Sequence, residues 1–225
     1  MYGSVRTDSY ERCGRPLGAP RPMDSYIAYL CEKLGEIGSG VPDALRIYKH
    51  GRACLFAGDA AAAKKAEVLN YLLHSSVIPS EAKLADDIVF GYGGIGVVLH
   101  GSVDVGSGSV IGSNVTLGGG AARGVFWIDE EGRRIYAPRI HEHVYVSTGA
   151  KVLGGIEVGA FSVIGANSVV ISGVPPLTVV AGVPGRIVKR ITVDNCLGYK
   201  SNFYTLRDVP DELFKDMVAE YQNRE

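Results

Sequence analysis

An aliphatic residue returns at every sixth position along residues 99–120 and 140–174, and this restricts the fold of the chain more than any other feature. Leu99, Val105, Ile111 and Leu117 keep the beat in the first stretch, and Ile140, Val146, Val152, Val158, Ile164 and Val170 keep it in the second. The position four after a beat is small or apolar as well: Val103, Ser109, Val115, Val144, Ala150, Ile156, Ser162, Ser168 and Val174. A period of six fits neither a helix of 3.6 residues per turn nor a plainly alternating strand. It is the repeat of a parallel β-helix, in which each hexad forms one flat side of a triangular coil and residue i stacks on residue i+18. The beat residue and the residue two before it point inward, while Gly, Asn and Ser turn the corners. Stacked coils then share a core that no single repeat could bury.

Composition narrows the function. A formal net charge of −1 gives no basic field, so no nucleic-acid partner is implied and any anion must be bound locally. Cys13, Cys31, Cys54 and Cys196 lack metal-ligand spacing and read as free thiols of a reducing compartment. The first residues contain no apolar signal core, and no segment approaches the ~18 apolar residues of a membrane span. The expectation is a cytoplasmic protein without a membrane partner.

Along the chain, residues 1–22 read as a disordered lead, 23–76 as an α-helical region, 77–192 as the β-helix domain and 193–225 as a tail with a short helix. In the helical region, Asp24 is placed to cap a stripe of Ile27, Leu30, Leu34 and Ile37. Pro42 is placed at the first position of a second helix through Tyr48, and a third follows Asp59. The fold class is therefore mainly β, with helices at both ends. The beat slips by three residues between Phe90 and Leu99, and it stops between Gly118 and Pro138, where a long loop leaves the prism. In that loop Asp129, Glu130 and Glu131 beside Arg133 and Arg134 are available to read a charged acceptor, or are simply solvated. The tail helix starts at Pro210 with a stripe of Leu213, Met217 and Tyr221.

Three histidines lie on the coil. His100 directly follows a beat residue and must point out of the prism; Gly118, one coil above it, leaves room for an imidazole and a ligand. An imidazole titrates near working pH, which suits a base that removes a proton from an attacking hydroxyl or amine. His141 and His143 point outward by the same count and are secondary catalytic candidates. Backbone N–H groups of Gly118, Gly119 and Gly120 are candidate donors to an oxyanion.

The runs NVTLGGG, APRIHEHVYVSTGAKVLGGIEVGAFSVIGANSVV and VPPLTVVAGVPGRIVKRI resemble the hexapeptide acyltransferases, and most closely their serine acetyltransferase branch, over roughly 78–192. The resemblance implies a left-handed coil, a homotrimer or dimer of trimers, and acetyl-CoA or another acyl-CoA as co-substrate in a groove between neighbouring prisms. It also implies a small acceptor bearing a hydroxyl or amine, O-acetylation before N-acetylation, and no metal. On the positions that match, Thr148 and Ala166 face the cofactor, and Arg186, Lys189 and Arg190 are available for its phosphates. Three family positions differ: the catalytic His falls on Tyr92 or Gly93, the second active-site His on Ala137, and an Asp on Ser76. These departures keep a non-catalytic trimeric scaffold as an alternative. A zinc carbonic anhydrase of the γ type is a further alternative, through the Leu99-His100-Gly101 step, although the ligand expected five residues earlier is Ile95.

Overall fold

The computed structural model describes residues 41–120 and 124–223. The expected lead, the helix expected at 24–37, Cys13 and Cys31 lie outside the described residues. Residues 42–225 form one compact unit.

Two helices open it. Helix α1 (Ala44–Phe56) is capped by Asp43, whose carboxylate accepts from the Arg46 N–H at 2.7 Å. Pro42 therefore stands two residues before the helix rather than at its first position, because the Asp side chain satisfies the first-turn donors better than a ring lacking N–H. The helix also continues two turns beyond Tyr48. Helix α2 (Ala60–His74) is capped by Asp59 and closes on Ser75 in the left-handed region. Tyr48 donates to the Ala82 carbonyl at 2.6 Å, and the Arg52 guanidinium donates to the same carbonyl at 2.6 Å, so α1 is bonded directly to the first coil.

From residue 83 onward short strands pass in rotation through three parallel sheets. Sheet I holds β1 (Lys83–Leu84), β4 (Asp104–Val105), β9 (Arg139–Ile140) and β12 (Glu157–Val158). Sheet II holds β2 (Val89–Phe90), β5 (Val110–Ile111), β10 (Tyr145–Val146), β13 (Val163–Ile164) and β15 (Thr178–Ala181), with β16 (Arg186–Arg190) added antiparallel at the end. Sheet III holds β3 (Val98–Leu99), β6 (Thr116–Gly118), β11 (Lys151–Leu153) and β14 (Val169–Val170). Three consecutive strands make one turn. Register confirms the repeat where it is regular: Leu99 pairs with Leu117, and Val152 with Val170. All ten beat residues and all nine of their partners are buried. The inward serines are hydrogen-bonded to the next coil; Ser109 Oγ donates to the His141 carbonyl at 2.8 Å and accepts from the Val144 N–H at 3.1 Å.

The three-residue slip is an excursion. Gly91–Gly94 bulges from the corner between sheets II and III with Tyr92, Gly93 and Gly94 at positive φ, and the pairs it offsets are shifted by three, Lys83 with Asp104 and Val89 with Val110. The long loop contains an antiparallel hairpin, β7 (Trp127–Ile128) and β8 (Arg134–Ile135). Asp129 closes it: its carboxylate accepts from the N–H groups of Glu131 and Arg133 and from Arg133 Nε at 2.7 Å. Burial would raise the Asp129 pKa, but the hydrogen bonds from the Arg133 side chain and backbone outweigh it and bring the carboxyl down to about 2.

The tail covers sheet II. Phe203, Leu206, Phe214 and Val218 form a second core with Phe161 and Val163, the Phe161 and Phe203 rings lying 5.5 Å apart. Helix α3 (Asp211–Gln222) buries Phe214 and Val218, and Leu213 is 53% exposed. The stripe expected on Leu213, Met217 and Tyr221 is thus rotated by about one residue, because Phe161 supplies an aromatic socket that the helix sequence by itself does not reveal.

Candidate functional site

The three prism edges carry different chemistry. His100 lies on the edge between sheets III and I, just after β3, and is exposed. Its own N–H donates to the Leu117 carbonyl at 2.9 Å, and its Nδ1 accepts from the Ser102 N–H at 3.1 Å. An amide N–H only donates, so the neutral ring in this setting holds its proton on Nε2. The residue against the ring is Gly119, not Gly118: a Cβ there would stand 2.9 Å from His100 Cδ2 and 3.1 Å from Nε2, whereas one on Gly118 would meet Leu153. The Gly120 N–H donates to the Tyr136 carbonyl at 3.0 Å and is committed, while the Gly119 N–H has no backbone acceptor among the described residues. Of the three glycines, Gly119 alone combines room with an available donor.

His141 and His143 lie on the next edge, between sheets I and II. His141 Nε2 sits 2.8 Å from Glu157 Oε2. His143 is not a solvated side chain: it takes positive φ, its ring lies 4.9 Å from the Phe161 ring, and its buried Nδ1 has no partner among the described residues. Burial pushes its pKa down, opposed in part by the charges of Glu142 and Asp87. Tyr221 donates to Glu142 beside it, so the tail closes over this edge. His141 lines a cavity of about 320 Å³ with Glu157 and Tyr221, and His100 is not part of it.

Thr148 and Ala166 stand exposed on the third edge, between sheets II and III, where the Asn167 N–H donates to the Thr148 carbonyl at 3.0 Å. Tyr92 is on the same edge and 81% exposed. Arg186, Lys189 and Arg190 lie on the exposed strand β16 at the end of the coil. His100 and this column are therefore separated by the full width of sheet III within one chain. The remaining family positions are structural here: Ala137 is fully buried, and Ser76 Oγ donates to the Gly94 carbonyl. Cys54 and Cys196 are free, and no helix among the described residues is long and apolar enough to cross a membrane. No group of three metal-ligating side chains occurs among the described residues.

The missed feature is Lys83. It faces outward on β1 in a ladder of alternating charge, Lys83, Asp104, Arg139 and Glu157, and no hexad rule marks it as different from the other three.

A period of six and three parallel sheets visited in turn define a hexapeptide-repeat coil. Over that coil the chain resembles serine acetyltransferases. The protein of Bacillus subtilis (strain 168) is 42% identical over 95 residues, which are 42% of this chain and 40% of the relative. That of Bacillus pumilus is 36% identical over 133 residues, 57% of this chain and 54% of the relative. Among solved structures, the serine acetyltransferase of Brucella abortus in complex with coenzyme A matches with a TM-score of 0.59 and 28% identity, over 66% of this chain and 55% of that one. A serine acetyltransferase in complex with cysteine matches with a TM-score of 0.56 and 31% identity, over 65% and 56%. The chain spans about half the length of the curated relatives it matches. No family model matches it.

Proposed function

We propose that this chain is an acyl-CoA-dependent O-acetyltransferase that moves an acetyl group from acetyl-CoA to the hydroxyl of a small acceptor, with His100 as general base. The observation that carries the reading is the exposed His100 ring lodged against Gly119, on a coil similar to a serine acetyltransferase solved with coenzyme A. His100 Nε2 takes the proton of the acceptor hydroxyl as its oxygen attacks the thioester carbon. The Gly119 N–H donates to the oxyanion. Collapse of the tetrahedral intermediate breaks the C–S bond, and the departing thiolate takes the proton from the imidazolium, leaving free CoA and the acetyl ester. To accept at Nε2, His100 gives up the Ser102 hydrogen bond, a net change of about 1 kcal/mol, and catalytic contacts commonly tighten only once substrate is bound.

The small column of Thr148 and Ala166 and the cationic strand with Arg186, Lys189 and Arg190 fit a pantetheine arm and phosphates. Because Thr148 and Ala166 stand on the edge across sheet III from His100, one complete site needs the edge of a second copy. This supports a homotrimer, or a dimer of trimers, of left-handed coils, with sheet II already covered by its own tail. Free Cys54 and Cys196 fit a cytoplasmic location.

Thiol release from acetyl-CoA across hydroxyl and amine acceptors tests the reading, with sedimentation as its companion. Acceptor-dependent release by a trimer is expected. A stable monomer overturns the shared site, and release no faster than hydrolysis with every acceptor overturns the reaction and favours the non-catalytic trimeric scaffold, which the structural roles of Ala137 and Ser76 also fit.

A further inference from the structure

A cavity of about 380 Å³ lies between the hairpin and the start of the coil, with Glu81, Lys83, Ser102, Trp127, Arg134 and Ile135 in its lining. We propose that it is the acceptor subsite and takes a small hydroxylated carboxylate, with Lys83 as the residue that selects the anion. The proposal rests on the acetyltransferase reading for its reaction, but not for its binding.

Position comes first. Ser102, in the cavity wall, is the residue whose N–H holds His100 Nδ1, and Gly101 lines the cavity too, so an occupant reaches the turn that carries the imidazole.

Charge comes second. Asp129 and Arg133 also line the cavity but neutralise one another at 2.6 Å. Asp104, the strand neighbour of Lys83, is 3.8 Å from Arg139. What remains in the wall is Lys83 and Arg134 against Glu81, a balance of one positive charge. The Arg134 guanidinium lies over the Phe126 ring at 4.7 Å. Lys83 is half-buried, and its amine has no hydrogen bond or ion pair among the described residues. An ammonium without a partner at the wall of a cavity is satisfied by an anion.

The wall supplies the rest. Trp127 and Ile135 give a carbon surface, and the Trp127 indole N–H is already spent on the Ala137 carbonyl at 2.8 Å, so it makes no polar demand on the occupant. The volume lies in the range of small-molecule sites, large enough for a sugar acid.

Trp127 is the sole tryptophan of the chain and reports occupancy directly. The full chain is titrated with D-glycerate and D-glucuronate, and with glycerol and glucose as neutral counterparts, following Trp127 fluorescence; CoA release is followed in parallel. The carboxylates are expected to shift the emission and the neutral compounds to leave it unchanged. Lys83→Gln is expected to weaken carboxylate binding by roughly tenfold, the loss of one charge-assisted contact. Lys83→Arg should restore it in part, and Arg134→Gln should weaken it to a smaller degree. Carboxylate binding that depends on Lys83, with no CoA release from these or any other hydroxyl or amine acceptor, upholds the binding site and overturns the acetyltransferase reading. CoA release that treats glycerate and glycerol alike and ignores Lys83→Gln overturns the subsite and leaves the reaction standing. Absence of a Lys83-dependent shift with both carboxylates also overturns it.

Discussion

The Ser102 N–H donates to His100 Nδ1 at 3.1 Å, which leaves the proton of the neutral imidazole on Nε2, the ring atom nearest to where a Gly119 Cβ would stand save for Cδ2. A histidine held in this way is a donor at rest and becomes a base only when its tautomer changes. His100→Ala should fold, retain CoA binding and lose roughly 10² to 10⁴ in kcat/KM. His141→Ala should keep most of the activity, since His141 faces another edge and is occupied by Glu157. Normal turnover by His100→Ala, with His141→Ala inactive, would move the base to the neighbouring edge.

Gly119→Ala separates space from backbone. The added methyl carbon would stand 2.9 Å from His100 Cδ2, closer than ordinary packing allows, so the ring must swing away. The position is at the surface, and thermal stability should change little. Turnover should fall by about tenfold or more, because displacement of a positioned proton acceptor weakens catalysis steeply. An Ala variant with unchanged kcat would show that the ring is free to work from elsewhere.

Ile111→Asp tests the register. Ile111 is fully buried between coils, and an unpaired carboxylate there has neither water nor a counter-ion. The expected loss of several kcal/mol is a large share of the ~5–15 kcal/mol that holds a domain together. The variant should be insoluble or unfolded by circular dichroism. A soluble, cooperatively melting variant would show that residue 111 does not face the core.

His143 gives the protein an acid sensitivity. Burial lowers its pKa in the folded state, so the unfolded chain binds a proton at this site more readily than the folded one. Stability from this source is complete above the unfolded histidine value of about 6.5 and is lost as the pH falls toward the lowered folded value. Urea denaturation at pH 5 and pH 7.5 should show lower stability in acid, and His143→Phe, which keeps a ring against Phe161, should reduce that difference. An equal pH dependence in wild type and variant would assign the effect to other groups.

Periodicity alone determined what lies inside the prism. The beat and the position two before it are a local pattern, set by which side of a flat strand each residue faces, and every one of these residues is buried. The outward position of His100 follows from the same count. Tertiary structure decided whatever is not periodic. Gly119 rather than Gly118 meets the imidazole because the chain is already turning out of the coil there, which no offset of eighteen describes. The tail helix turned its Phe214 face inward because Phe161, brought to the surface of sheet II by a left-handed corner, was waiting for it. Lys83 looks like its neighbours in the charge ladder, and only the packing of a distant hairpin over the same edge leaves its charge unpaired beside a cavity. A repeat encodes its own inside and outside residue by residue, whereas a site depends on which excursions meet across the surface, and their meeting is a property of distances that sequence spacing does not carry.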